Sequence, residues 1–336
     1  MKICVVGSGA MGGLIGGRMA LAGEDVTLVD RGAHLEAIQR NGLKIIAPDG
    51  SETVVKNAKA TGDLAFPGPQ DVVILALKSH HIASVAKNLK VLFGPSSVLV
   101  PVQNGLPWWY FQRHGGPYEG RELKSCDPTG EISVNIDPQR IIGCVVYPAG
   151  EIKAPGVIHH VEGDRFPVGE LDGKTTERVQ KVSEVFVKAG FKSPVLDNVR
   201  SEIWLKLWGS LSFNPISALT HATLVDLCQY PLTRELAAQM MTEAQKIATA
   251  LGIEFRVSLE KRIAGAEKVG KHKTSTLQDV EHGRALELDT IIGSVIELGR
   301  MLNIPTPHID SVYALTKLLD KTLQDAQGKL HVENVA

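Results

Sequence analysis

An apolar, largely β-branched run, Ile3-Cys4-Val5-Val6, ends in Gly7-Ser8-Gly9-Ala10-Met11-Gly12 within the first dozen residues. A G-x-G-x-x-G turn that closes a strand and opens a helix constrains the fold more than any other feature here. Its first glycine permits the tight turn, its second lets a pyrophosphate approach bare backbone, and its third lets the helix pack close to the sheet. The helix then aims its N–H groups and positive dipole end at the phosphates. An ordinary glycine-rich βα turn is the plainer alternative. The context favours a dinucleotide site, because a helical stretch at 14–21, Gly23 and a second apolar strand at 26–29 complete a βαβ unit.

The first half continues to alternate short apolar runs with helical stretches, as a parallel α/β sheet requires. A helix is expected at 35–41, a hairpin-like segment at 43–55, and a fully buried central strand at 71–77. A helix at 82–92 and a strand at 97–102 follow, and the run at 141–147 is expected to continue the sheet. Residues 156–169 suggest an antiparallel edge, with a helix at 175–189. From about Ser201 strand signals vanish and amphipathic patterns take over at 202–218, 232–251, 257–266, 279–302 and 309–323, with Gly252 and Asn303-x-Pro305 as stop signals. The expected fold class is therefore α/β: a Rossmann-like, doubly wound N-terminal domain at 1–198 and an all-helical domain at 199–326, with a polar tail at 327–336. Residues 107–140, with Trp108 to Phe111 and little periodicity, read as a long insertion, either a lid or a surface decoration with one aromatic anchor.

Composition narrows the class of function. The 336 residues are 43% hydrophobic and 22% charged, and their net charge of −1 offers no electrostatic footprint for nucleic acid. No apolar run approaches the roughly 18 residues of a membrane span, so no membrane association is expected. The chain enters a strand at once, which predicts a protein without a signal peptide. Cys4, Cys126, Cys144 and Cys228 form no C-x-x-C pair, so reduced thiols and a cytoplasmic location are expected. His80-His81 and His159-His160 are adjacent pairs, which point to opposite faces of a strand, and no metal is expected.

Ligands of open α/β sheets sit at the carboxyl ends of the strands. Asp30, about twenty residues beyond the glycine turn, can accept from a ribose 2′-OH and favour NAD. Arg31 beside it, with Lys78 at the end of another strand, can instead hold a 2′-phosphate and favour NADP. Two cations against one carboxylate tilt the expectation to NADP(H), with NAD(H) the lesser choice. Asn104, at a third strand end, either projects over a nicotinamide or belongs to a plain Asn-Gly turn.

In the second half Lys206 lies within Ile203-Trp204-Leu205-Lys206-Leu207-Trp208, a helix apolar nearly all round. Such a lysine is either desolvated and suited to general acid work or packs its stem and reaches bulk water. Asn214 falls two turns on, near the same face, though Pro215 after it can mark a helix boundary. Ser275 reads either as an N-cap, with Gln278 completing a capping box, or as a substrate-contacting hydroxyl. Glu287 is an inward carboxylate or a solvated one.

Taken together these residues resemble the ketopantoate reductase (2-dehydropantoate 2-reductase) family. The likeness runs through Gly7-x-Gly9-Ala10-Met11-Gly12, Lys78, Gln103-Asn104-Gly105, Trp204-x-Lys206-Leu207, Asn214-Pro215, 274–279 and Glu287-Leu288-Asp289. The resemblance implies NADPH-dependent reduction of a 2-oxo acid, ketopantoate to pantoate, on the way to pantothenate and coenzyme A. It assigns Arg31 and Lys78 to the 2′-phosphate, Asn104 to the nicotinamide and substrate, and Lys206 to proton donation. Glu287 is assigned to orienting the substrate hydroxyl, with Ser210, Asn214 and Ser275 at substrate-binding positions. Domain closure would exclude water from the reaction. Two departures stand out. Ser210 occurs where the family often has an asparagine, and 107–140 is longer than usual. A related reductase of another 2-oxo acid or an imine, or a silent NADP(H)-binding sensor, are the competing readings. A homodimer is compatible with the helical domain.

Overall fold

Most of the apolar runs in the first hundred residues pair as one parallel sheet in the computed structural model, which describes residues 1–328. The chain begins with β1 (Lys2–Val6), α1 (Ala10–Leu21), β2 (Asp25–Val29) and α2 (Gly32–Asn41). A hairpin, β3 (Leu43–Ile46) and β4 (Glu52–Val55), precedes β5 (Lys59–Thr61), β6 (Gln70–Leu75), α3 (Ser79–Ala86) and β7 (Phe93–Pro101). The sheet order is β5-β2-β1-β6-β7, with every pairing parallel. Strand order therefore reverses between β1 and β6, and that switch point opens the crevice where such sheets take ligands.

A short α4 (Glu131–Asn135) leads to β8 (Ile142–Cys144), β9 (Ala149–Ala154), β10 (Val157–Glu162), β11 (Val168–Glu170) and α5 (Glu177–Lys188). A second sheet, β4-β3-β10-β9, packs with the parallel one around α1. The glycines of α1 make this possible. A Cβ on Gly16 would lie 2.6 Å from Leu28 in β2, and one on Gly17 would lie 2.7 Å from Ile45 in β3. Buried on two faces, α1 carries almost no polar side chain, as close packing demands.

The remainder is helical: α6 (Val199–Thr220), α7 (Leu224–Gln229), α8 (Pro231–Ala250), α9 (Leu259–Lys268), α10 (Ser275–Glu281), α11 (Ser294–Leu302) and α12 (Pro307–Asp325). Two compact units result. Met1–Asn104, Trp108–Glu122 and Asp127–Glu202 form the first, and Gly105–Pro107, Leu123–Cys126 and the described residues from Ile203 onward form the second. The stretch 107–140 thus contributes to both units. Trp108, Trp109, Tyr110 and Phe111 are all core residues, so it is not a surface decoration. Of the polar tail expected at 327–336, residues 329–336 lie outside the described residues.

Several elements depart from expectation. The run at 141–147 pairs β8 antiparallel with β11 and, although β8 packs beside β7, joins the parallel sheet only by an isolated Leu99–Ile141 bridge. The helix expected at 82–92 ends at Ala86 and gives way to a tight turn at Leu89–Leu92. Pro215 does not end its helix, because α6 runs through it to Thr220. The helix expected at 279–302 is broken. Gly283 (φ +62°) closes α10, its N–H donating to Val280 O while Arg284 N–H donates to Asp279 O. That pair of hydrogen bonds around a left-handed glycine terminates a helix whatever the apolar period beyond it. The chain resumes as a wide turn at Asp289–Gly293 that runs into α11.

Candidate functional site

In the first unit each glycine of the turn does a separate job. Gly7 has φ +92°, which a side chain resists. A Cβ on Gly12 would lie 1.9 Å from Gly7 O, so only glycine lets α1 start there. A Cβ on Gly9 would meet nothing nearer than Ile152 Cδ1 at 3.9 Å, so its bare backbone faces open space. The twelve-residue α1 has no side-chain cap at Gly9 and no acidic residue in its first turn. Ala10 and Met11 open that helix. This arrangement fits a pyrophosphate, which needs uncovered backbone N–H groups and no competing negative charge.

Beside the turn, at the end of β2, Asp30 is half-buried and Arg31 exposed. Asp30 Oδ2 accepts from the amide of Ser8 (2.8 Å) and from its hydroxyl (2.7 Å), while Oδ1 accepts from the Arg31 amide (2.8 Å). Lys78 follows β6, across the switch point, as the half-buried residue that precedes α3. Asn104, half-buried, is the last residue of the first segment of this unit.

In the second unit α6 carries Lys206, Ser210 and Asn214 at intervals of four, which places them on one stripe. Trp204, Leu207, Trp208 and Leu211 bury the rest of that stretch, and Trp208 Nε1 donates to Met241 O at 2.6 Å. Lys206 is half-buried rather than sealed in. Ser210 Oγ donates to Lys206 O at 3.3 Å, and Asn214 Nδ2 donates to Ser275 Oγ at 3.3 Å. Ser275 is not the N-cap. Thr274 is extended and accepts from Leu277 N, and Gln278 turns back to Lys273 O, so no capping box forms. Ser275 is instead the first helical residue, and its hydroxyl meets Asn214. Glu287 lies outside any helix, half-buried in the segment between α10 and the wide turn, because Gly283 has already ended α10. The unit thus joins Asn214 to Ser275 directly and Ser210 to the backbone of Lys206.

Other residues escaped the sequence reading. Ser8, fully buried, and His34, on α2, grip the glycine turn. In the first unit Arg200 is buried, with its guanidinium donating to Tyr110 O (2.7 Å), Gln112 O (2.7 Å) and Leu171 O. Glu170, also buried, takes Arg178 (2.6 Å), Arg113 (3.2 Å) and Thr176. Burial works to raise the Glu170 carboxyl, but the bonds from Arg178 and Thr176 and the charge of Arg113 outweigh it and hold it low. A lone arginine or glutamate carries no local signal of such long-range bonding. Only the turn chemistry around Ser8 could have been suspected.

Known proteins align with this layout. Residues 3–109 match the family model described as Ketopantoate reductase PanE/ApbA, and residues 198–320 match Ketopantoate reductase PanE/ApbA C terminal. The chain is 51% identical over 320 residues to the 2-dehydropantoate 2-reductase of Mesorhizobium japonicum, covering 95% of this chain and 98% of that one. It is 31% identical to the protein of the same name from Pyrococcus horikoshii, covering 94% and 97%. Among solved structures, a candidate ketopantoate reductase from Ralstonia solanacearum MolK2 matches with a TM-score of 0.91 and 38% identity, covering 96% of this chain and 98% of that one.

A glycine turn at the switch point of a parallel sheet, taken with the family models and the 51% identical 2-dehydropantoate 2-reductase, marks an oxidoreductase that uses a nicotinamide nucleotide. Within that class, the chain belongs to the ketopantoate reductase PanE/ApbA family. No helix among the described residues is long and apolar enough to cross a membrane.

Proposed function

We propose that this chain reduces 2-dehydropantoate to pantoate, with NADPH preferred over NADH, in the cytoplasm. The observation that carries the reading is the 51% identity to a 2-dehydropantoate 2-reductase along 95% of the chain. The glycine turn independently supports the nucleotide part of it, since Gly9 leaves backbone open beside an uncapped helix end.

Gly7, Gly9, Ala10, Met11 and Gly12 would hold the pyrophosphate, and Arg31 with Lys78 the 2′-phosphate. Arg31 favours the phosphorylated cofactor because its side chain is exposed, while the neighbouring Asp30 carboxylate is engaged by Ser8. A reduced nicotinamide, when bound, supplies a hydride to the keto carbon. Asn104 fixes the orientation of the reacting groups. Lys206 donates a proton to the carbonyl oxygen as it gains charge, so that ketone, hydride and proton together give the secondary alcohol. A cation held at that oxygen in a region of reduced hydration stabilises the developing charge more than it would in bulk water. Ser210, Asn214 and Ser275 supply hydroxyl and amide groups for the substrate, and Glu287 orients its hydroxyl.

The test is the loss of absorbance of NADPH, then of NADH, with ketopantoate and a panel of other 2-oxo acids. Efficient turnover of ketopantoate with NADPH is expected. Efficient turnover of a different 2-oxo acid, with none of ketopantoate, would overturn the substrate assignment.

A further inference from the structure

Ser8 sits between the first two glycines of the turn, is fully buried, and has every polar group engaged. Its amide and hydroxyl both donate to Asp30 Oδ2, at 2.8 and 2.7 Å. Its carbonyl lies 3.1 Å from His34 Nε2. The other ring nitrogen settles the tautomer. Gly156 N–H donates to His34 Nδ1 at 3.1 Å, so Nδ1 is an acceptor and Nε2 carries the proton that reaches Ser8 O. His34 thereby ties the glycine turn to the β9–β10 hairpin. Gly156 reaches it with φ +75°, so close to α2 that a Cβ would lie 3.0 Å from Ala37.

A carboxylate that reads a ribose needs both oxygens open to it, yet Asp30 Oδ2 already takes two donors and Oδ1 takes the Arg31 amide, which leaves one of roughly four acceptor sites. We infer that Asp30 and His34 are positioning residues that clamp Ser8 and set the glycine turn, which leaves the choice between the two nicotinamide nucleotides to Arg31 and Lys78. The inference rests on the proposed nucleotide role of that turn. It accounts for an acidic residue at the position usually associated with NAD in a chain proposed to prefer NADPH.

Affinities for NADPH and NADH, measured by nucleotide fluorescence, separate a clamp from a ribose contact. Asp30→Ala is expected to raise both Kd values by the same factor, about tenfold, and the loss should fall on KM for the nucleotide rather than on kcat. His34→Ala should behave alike, whereas His34→Gln, whose amide still donates to Ser8 O, should recover most of the affinity. Ring nitrogen chemical shifts of His34 in the wild-type protein should report a proton on Nε2. Should Asp30→Ala fail to fold, Ser8→Ala, which removes only the hydroxyl bond, is judged by the same equal-factor criterion. Selective loss of NADH with tighter NADPH binding in Asp30→Ala would overturn the inference, as would unchanged affinity in His34→Ala. A wild-type protein that binds neither nucleotide overturns the proposed function instead, and the tautomer measurement then still decides whether the clamp exists.

Discussion

Lys206, a half-buried lysine among Trp204, Leu207 and Trp208, has lost part of its hydration shell, and in the proposed reaction its amine is the proton donor. Lys206→Met keeps the volume and removes the proton. It is expected to lower kcat by about 10² to 10⁴-fold while leaving the Kd for NADPH near wild type, as steady-state kinetics and nucleotide fluorescence would show. Near-normal kcat removes Lys206 from the chemistry. The half-buried position of this residue was legible because a lysine is conspicuous in an apolar helix. Ser275 left two readings open, cap or substrate-contacting hydroxyl; Thr274 and Ser275 are equally good caps on paper, and only the backbone of Thr274, extended where Ser275 is helical, removes the cap reading. Ser8 and His34 were missed because their bonds join residues 22 and 26 positions apart in sequence, or 122 in the case of Gly156.

The elements were legible where hydrophobic period alone builds them. The runs of β1, β2 and β6 are buried on both faces of the parallel sheet and admit no other reading. The period at 279–302 misled, because Gly283 outweighs it locally. The segment after Asn104 was opaque for a different reason, since charged and polar groups far away in sequence fix it. Glu170 anchors Arg113, and Glu297 accepts from the Lys124 amide (2.9 Å) and from the amide (2.8 Å) and hydroxyl of Ser125. Two outcomes follow at this scale. Glu170→Gln leaves Arg113 and Arg178 without their buried carboxylate and is expected to lose about 3 kcal/mol of stability at pH 7. The folded Glu170 carboxyl lies below its unfolded value, so the stabilisation is complete above the ordinary carboxylate range and is lost as pH falls through the depressed folded value. The gap between wild type and variant in urea unfolding should therefore narrow below about pH 4. Gly105 has φ +83°, and a Cβ there would lie 2.2 Å from Thr290 O, the same carbonyl that accepts from the Leu106 amide. Backbone cannot yield as a side-chain tip can, so Gly105→Ala should lose about 3 kcal/mol or more, or fail to accumulate as folded protein.

At the scale of the whole molecule, two units were readable from the change of texture near residue 200, but not their interleaving. Gly105–Pro107 and Leu123–Cys126 join the second unit through bonds such as Leu106 N–H to Thr290 O, which have no periodic signature. Every residue assigned to the nucleotide, from Gly7 to Asn104, belongs to the first unit, and Lys206, Ser210, Asn214, Ser275 and Glu287 belong to the second. A ligand that binds only folded protein raises its stability by RT ln(1 + [L]/Kd), about 2.7 kcal/mol at a hundredfold excess over Kd. NADPH should therefore raise the thermal midpoint by several degrees. NADH at the same concentration should raise it less, because it offers Arg31 and Lys78 no 2′-phosphate. In Arg31→Ala the NADPH shift should fall toward that given by NADH, whose own shift should hardly change. Equal loss of both shifts would mean that Arg31 supports the fold of the turn rather than the phosphate. The comparison needs no substrate and no turnover, so it tests cofactor recognition separately from the chemistry assigned to Lys206.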